Sequence, residues 1–209
     1  MSATYTFRQL RQDLNRDIDA YLGFAAEYNP RVNRRWRNRL SAFLVPSVQA
    51  CWLYRLSHWL YSHGFLRLAL MVAWMNLLLT HVSINPASSI GGGLYIPHPS
   101  ASIVFQGVAG RDLKLFAGSA ATAGHLYPFH GDSLSTAPQF GDNVSLGSKA
   151  FVAGPVTIGS NARIGFNAYV AQDVPAGAIV VARHVRNRVV QRQSEAGLRA
   201  PRKSPVRKD

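Results

Sequence analysis

Acid and sulfur are what this chain has least of. Only 10 of its 209 residues are Asp or Glu, against 23 Lys or Arg, so the formal net charge is +13. A surplus of this size points to a polyanionic partner: nucleic acid, anionic lipid or a phosphate-rich cofactor. The surplus is uneven, because nine of the basic residues follow Ala182, with only Glu195 and Asp209 opposing them there. That end reads as a solvated basic tail. It contains no aromatic residue, and nothing in the chain resembles a base-reading module, which argues against nucleic acid. The single cysteine, Cys51, excludes an internal disulfide and fits a reducing, cytoplasmic compartment. Charged residues make up only 16%, but the apolar fraction of 47% excludes a disordered chain.

An uninterrupted membrane span is also missing. The run FLRLALMVAWMNLLLTHVSI (65–84) is about long enough to cross a bilayer, yet Asn76, Thr80 and His81 break it and Arg67 sits near its start. It reads as a buried or oligomer-forming helix. Trp52, Trp59, Trp74 and the nearby arginines leave attachment to the inner membrane surface open. The polar, charged start MSATYTFRQLRQDLNRDIDA lacks a secretory signal pattern.

What is present divides into three regions. Residues 1–81 read as helical. Phe7, Leu10, Leu14, Ile18 and Leu22 form one amphipathic stripe, and Val48, Trp52, Leu56 and Leu60 a second, with Gly64 as its C-terminal cap. A last apolar helix runs to about His81, a residue expected to be structural. From Ile84 the period becomes six: Ile84, Ile90 and Ile96, then Ala109, Leu115 and Ala121, then Phe140, Leu146, Val152, Ile158, Ile164 and Val170. Three six-residue units make one triangular coil, each unit a short parallel strand and a corner. The residue opening each unit points inward, and Gly or Asn at the corners tolerates positive φ. The expectation is an α+β chain: a helical domain (1–81), a parallel β-helix of about five coils (82–173) and a C-terminal segment with the basic tail (174–209). Residues 122–139 break the period and read as a loop extruded from the scaffold. The open strand edges at the end of such a prism call for a helical cap.

The segments SINPASSIGGGLYIPH and FGDNVSLGSKAFVAGPVTIGSNARIGFNAYVAQDVPAGAIV, preceded by VPSVQACWLYRLSHWLYSHG, resemble the hexapeptide-repeat acyltransferases over about residues 45–182. Within them the similarity is to the serine acetyltransferase branch. The resemblance implies a left-handed β-helix, acetyl-CoA as co-substrate, no metal, and a homotrimer that the branch often pairs into a dimer of trimers. Acetyl transfer from a thioester to a hydroxyl needs a base and oxyanion donors. His98 matches the family's base, on the third unit of the first coil. Gly118, Ser148 and Ala150 match the small residues of the coenzyme A groove. Arg163, Arg183 and Arg186 are candidates to hold its phosphates. Two loop histidines, His125 and His130, the latter beside Asp132, are secondary catalytic candidates.

Four departures bear on the acceptor and the groove. Ser83 stands where serine-using members have an aspartate that pairs with the base. Thr136-Ala137-Pro138 replaces an Arg-His-Pro, removing bidentate carboxylate recognition. Phe166 stands where alanine is usual and would crowd the pantetheine channel. Ala182–Val185 replaces a Gly-Val-Pro-Ala motif. The expectation is therefore an O-acetyltransferase acting on a small-molecule hydroxyl other than serine, a sugar first. The alternatives are a serine O-acetyltransferase and a catalytically silent trimeric scaffold.

Overall fold

A computed structural model describes residues 5–28, 41–123 and 136–182. Among the described residues three full helices come first: α1 (Phe7–Tyr28), α2 (Pro46–Ser62) and α3 (Leu66–Thr80). A capping box starts α1. The Thr6 hydroxyl accepts the Gln9 N–H at 3.3 Å, and Gln9 Oε1 accepts the Thr6 N–H at 2.8 Å. Pro46 opens α2, where its missing N–H is no loss. Just past the end of α2, Gly64 takes φ +82°, the left-handed position its sequence context implied.

Thirteen short strands follow among the described residues: β1 (Val82–Ile84), β2 (Ser89–Ile90), β3 (Ile103–Phe105), β4 (Val108–Ala109), β5 (Lys114–Leu115), β6 (Ala120–Thr122), β7 (Gln139–Phe140), β8 (Ser145–Leu146), β9 (Phe151–Ala153), β10 (Thr157–Ile158), β11 (Arg163–Ile164), β12 (Tyr169–Val170) and β13 (Ile179–Val180). They form three parallel sheets, ordered β1-β3-β6-β9-β12, β2-β4-β7-β10 and β5-β8-β11-β13. From β3 to β12 every third strand thus returns to the same face, which is the topology of a three-sided β-helix. Late coils repeat at the expected 18 residues, as in Gln139 over Thr157 and Ser145 over Arg163. Between β4 and β7 the step is 31 residues, because the inserted loop leaves the prism at the corner after β6.

All twelve residues of the six-residue series are buried, none more than 6% exposed. They stack in register: Ile84, Phe105, Ala121, Val152 and Val170 down one face. Ala109 and Ala121 leave room for Phe105 and Phe140, whose rings meet at 5.5 Å. Phe105 was not in the sequence series, since the first coil carries extra residues before it. The core is also denser than one residue in six. The position two before each inward aliphatic points inward too, as at Val144, Ala150, Val156, Ala162 and Ala168.

The helices close the upper end of the prism by satisfying the backbone of its first coil. The Tyr54 hydroxyl donates to the Ser88 carbonyl at 2.9 Å, and the Cys51 thiol to the Leu94 carbonyl at 3.4 Å. Arg55 donates to the carbonyls of Ile90 and Gly91, the latter at 2.7 Å. Asp17 Oδ1 accepts the N–H groups of Gly93 and Leu94, each at 2.8 Å. His58 Nδ1–H donates to the Pro86 carbonyl at 2.8 Å. These are strand-edge groups that would otherwise lack partners in a dry interior.

The α2 stripe is a correction. Trp52 is 40% exposed, while Cys51, Tyr54 and Arg55 face inward. A fully buried arginine at the centre of the face hid it from hydropathy. In α1, Ile18 and Leu22 are buried as their spacing implies, but Phe7, in its first turn, is 69% exposed.

Candidate functional site

One edge of the prism, where the β5-β8-β11 sheet turns into the β1-β3-β6 sheet, gathers most of the candidates. Each coil reaches this corner two residues after an inward aliphatic. His98 follows Ile96, Ala117 follows Leu115, Ser148 follows Leu146 and Phe166 follows Ile164. The corners turn through left-handed residues: Ser102, Gly118, Lys149 and Asn167 have φ 54°, 70°, 58° and 54°. At Gly118 a Cβ would stand 3.4 Å from the Lys149 side chain and 3.5 Å from the Ala101 carbonyl, so the corner is close-packed without one.

His98 sits at the top of this column. It precedes a single 3₁₀ turn, Pro99–Ala101, and its ring is exposed. Buried Ile96 and Pro99 fix the backbone on either side, so the imidazole is presented by a rigid frame. Among the described residues no hydrogen bond or ion pair holds the ring. Ser83, half-buried on β1, offers no carboxylate. A base used in proton transfer must be accessible to its substrate, and His98 is exposed on a backbone fixed by buried neighbours.

Gly118 and Ser148 lie below it, half-buried, with backbone close to the surface. Phe166 is 69% exposed and points away from the prism. It lies three coils below His98, roughly 14 Å at the usual spacing of neighbouring strands. Arg163 projects from the outer face of β11, beside the same corner. Ala150 sits deeper than Gly118 and Ser148. Its methyl is fully buried in the prism core, because it occupies the second inward position of its coil, so it contributes no side chain to the groove. His125, His130, Arg183 and Arg186 fall outside the described residues.

Sequence reasoning missed a pair of aromatics on the adjoining face. Phe151 and Tyr169 stack one coil apart, with centroids 5.7 Å apart and planes within 7°. Both precede inward valines, and that spacing was the available signal. Thr136 is exposed while Ala137 is buried, at the point where the inserted loop rejoins the prism. Among the described residues no group of His, Cys, Asp or Glu could hold a metal ion.

Away from this edge, a cleft of about 280 Å³ lies between α1 and a different, glycine-rich corner. Phe24, Glu27, Tyr95, Asp112, Lys114 and Asn143 are among its lining residues. None of the candidates above belongs to it.

Comparison with known proteins bears on the fold and the family. The family described as bacterial transferase hexapeptide (six repeats) matches residues 137–172. A serine acetyltransferase of Mycobacterium tuberculosis is 36% identical over 145 residues, covering 66% of this chain and 59% of its own length. One from Helicobacter pylori is 30% identical over 166 residues, covering 79% of this chain and 92% of its own length. The crystal structure of the Neisseria gonorrhoeae serine acetyltransferase in complex with serine superposes with a TM-score of 0.69 at 27% identity, over 86% of this chain and 69% of that one. The chain therefore spans about three fifths of the Mycobacterium relative and nearly all of the Helicobacter one.

Proposed function

Because this chain belongs to the serine acetyltransferase family of left-handed hexapeptide-repeat proteins, we propose that it transfers an acetyl group from acetyl-CoA to the hydroxyl of serine, with His98 as general base. The observation that carries the reading is the exposed imidazole, on a fixed backbone, at the head of a corner column that continues through Ala117 and Ser148. The sequence expectation favoured a non-serine acceptor; the relatives support its stated alternative.

In the proposed reaction His98 removes the hydroxyl proton as the oxygen attacks the thioester carbonyl. The C–O bond forms, the C–S bond breaks, and the proton passes from the imidazolium to the leaving thiolate. The products are the O-acetyl ester and coenzyme A. The acyl donor carries its own activation, so neither a covalent enzyme intermediate nor a metal has a task. Gly118 and Ser148 allow close approach of the pantetheine arm, and Arg163 supplies positive charge beside it.

The edge is convex and open in a single chain, so the second wall of the groove comes from a neighbouring copy. Three prisms packed head-to-tail around an axis close a ring with three equivalent seams, which supports a homotrimer.

A second reading has its own observation. Ser83 supplies no carboxylate, and Thr136-Ala137 supplies no guanidinium for the acceptor's carboxylate. On that reading the acceptor is a hydroxyl without a neighbouring carboxylate, such as a sugar.

The test is thiol release from acetyl-CoA with serine and with a panel of sugars, using wild type and His98→Ala. Turnover with serine that falls roughly 100- to 10,000-fold in the variant supports the main reading. Turnover with sugars alone moves the acceptor to the second. Release that is absent, or unchanged in His98→Ala, defeats both and leaves the silent scaffold.

A further inference from the structure

The surface of α3 is inverted for a helix in water. Its inward stripe, Ala69, Val72, Ala73, Asn76 and Thr80, is small or polar. Its outward side carries Leu68, Met71, Trp74, Met75, Leu78 and Leu79, between 44% and 72% exposed. The small stripe lets α3 lie close against α2, and its polar members are satisfied within the helix pair. Asn76 Nδ2 donates to the Ala50 carbonyl at 3.0 Å, and the Thr80 hydroxyl donates to Asn76 Oδ1 at 2.7 Å. Small residues at the helix contact and large apolar ones facing out is the arrangement helices adopt in hydrocarbon. On a water-facing surface a contiguous apolar patch marks an interaction site.

Length decides how such a helix meets a bilayer. Fifteen residues rise about 22 Å, short of the roughly 30 Å hydrocarbon core. Among the described residues no helix is long and apolar enough to cross a membrane. The geometry that remains is in-plane, with the apolar side down. Trp52 and Tyr61 on the neighbouring helix α2 are also exposed, 40% and 38%, and are residue types that favour the interface.

Charge selects the kind of surface. From Tyr28 to Arg111 the sequence contains no Asp or Glu, so no acidic side chain of α2 or α3 opposes a cation on this face. Exposed Arg67 lies in the first turn of α3 itself. A second copy of this chain would bring the same sign of charge to the contact, whereas anionic headgroups would neutralise it. We propose that the outward side of α3, with Trp52 and Arg67 beside it, docks in-plane on an anionic lipid bilayer. This proposal does not depend on the acceptor or on the transferase reading.

The experiment is flotation of the full chain with vesicles of phosphatidylcholine alone and of phosphatidylcholine mixed with phosphatidylglycerol, at low and high salt. Wild type is expected to float with the mixed vesicles and to be released by salt. The double variant Leu78→Glu/Leu79→Glu is expected to lose at least about tenfold of the bound fraction, with an unchanged thermal melt and an unchanged mass by light scattering. Should that variant fail to fold, quenching by bromolipid in the mixed vesicles replaces it. Wild-type tryptophan emission is expected to be quenched, and Trp52→Phe/Trp74→Phe to lose most of that quenching. Wild type remaining with the pellet, or emission that bromolipid leaves unchanged, overturns the proposal. So does a lower mass for the double variant, which would make the face a contact between copies.

Discussion

Arg55 and Asp17 meet in the dry seam between the helices and the first coil, Nε to Oδ2 at 3.0 Å and Nη2 to Oδ1 at 3.1 Å. Both are buried, and each also binds backbone of the coil. Burial alone would pull the guanidinium down, but the Asp17 carboxylate reverses this and holds Arg55 above its ordinary value. Burial acts on Asp17 in the other direction, raising its carboxyl against the pull of Arg55 and two amides. The pair is a plug that ends the β-helix, joining residues 38 positions apart.

Removing one partner strands the other as an uncompensated buried charge. Arg55→Met is expected to cost about 3–5 kcal/mol, read as a lower urea midpoint. Tyr54→Phe, which removes only the hydroxyl donated to Ser88, is expected to cost about 1 kcal/mol. Equal losses in the two variants would show that Arg55 is not the keystone of the cap.

His58 gives the cap a pH dependence. Burial lowers its pKa below the ordinary 6.5, more than the hydrogen bond to the Pro86 carbonyl raises it. The unfolded chain therefore takes up the proton first as pH falls through 6.5. The contribution of neutral His58 is fully present above that value and is lost toward the lower folded value, by up to about 1.4 kcal/mol per pH unit. The urea midpoint is expected to drop between pH 7.5 and 5.5. In His58→Phe, which keeps a ring against Tyr5 and Tyr54, the slope over that window is expected to flatten.

Two glycines separate packing from propensity. A Cβ on Gly91 would stand 2.8 Å from the Gly110 carbonyl oxygen of the next coil, and backbone there has no room to move. Gly91→Ala is expected to destabilise by about 1–3 kcal/mol. Gly23, inside α1, has nothing within 4 Å of its Cβ position. Gly23→Ala is expected to stabilise by about 0.4–1 kcal/mol, by restricting the unfolded chain. Thermal melts that shift in opposite directions check both.

The prism was legible because an inward position recurs every six residues and its occupants are large and apolar. The second inward position was not, because Ser88, Ser119, Ala150 and Ala162 carry no hydropathy signal. Ala150 is one of these: its methyl faces the core, a placement its match to a small groove residue did not specify. The cap was hidden for a different reason. Arg55 and Asp17 look like surface charges until two helices and a coil bring them together. His98 could be read from the motif around it, but its lack of a described partner is a property of the fold. The outward apolar face of α3 was half legible: its composition showed, its orientation did not.

Phe166 tests whether the candidate groove is in use. Its ring stands 69% exposed at the corner column, where the sequence resemblance implies a small residue and where the proposed pantetheine arm would pass. Exposed, it contributes little to the core, so Phe166→Ala should leave the melt within about 0.5 kcal/mol of wild type. If the arm lies along this column, relief of crowding worth about 1 kcal/mol tightens coenzyme A about fivefold, measured by calorimetry. The kcat at saturating acetyl-CoA should hold, because the ring is three coils from His98. Weaker binding in the variant would mean that the ring is a stacking platform for the cofactor, and unchanged binding would place the arm on another edge.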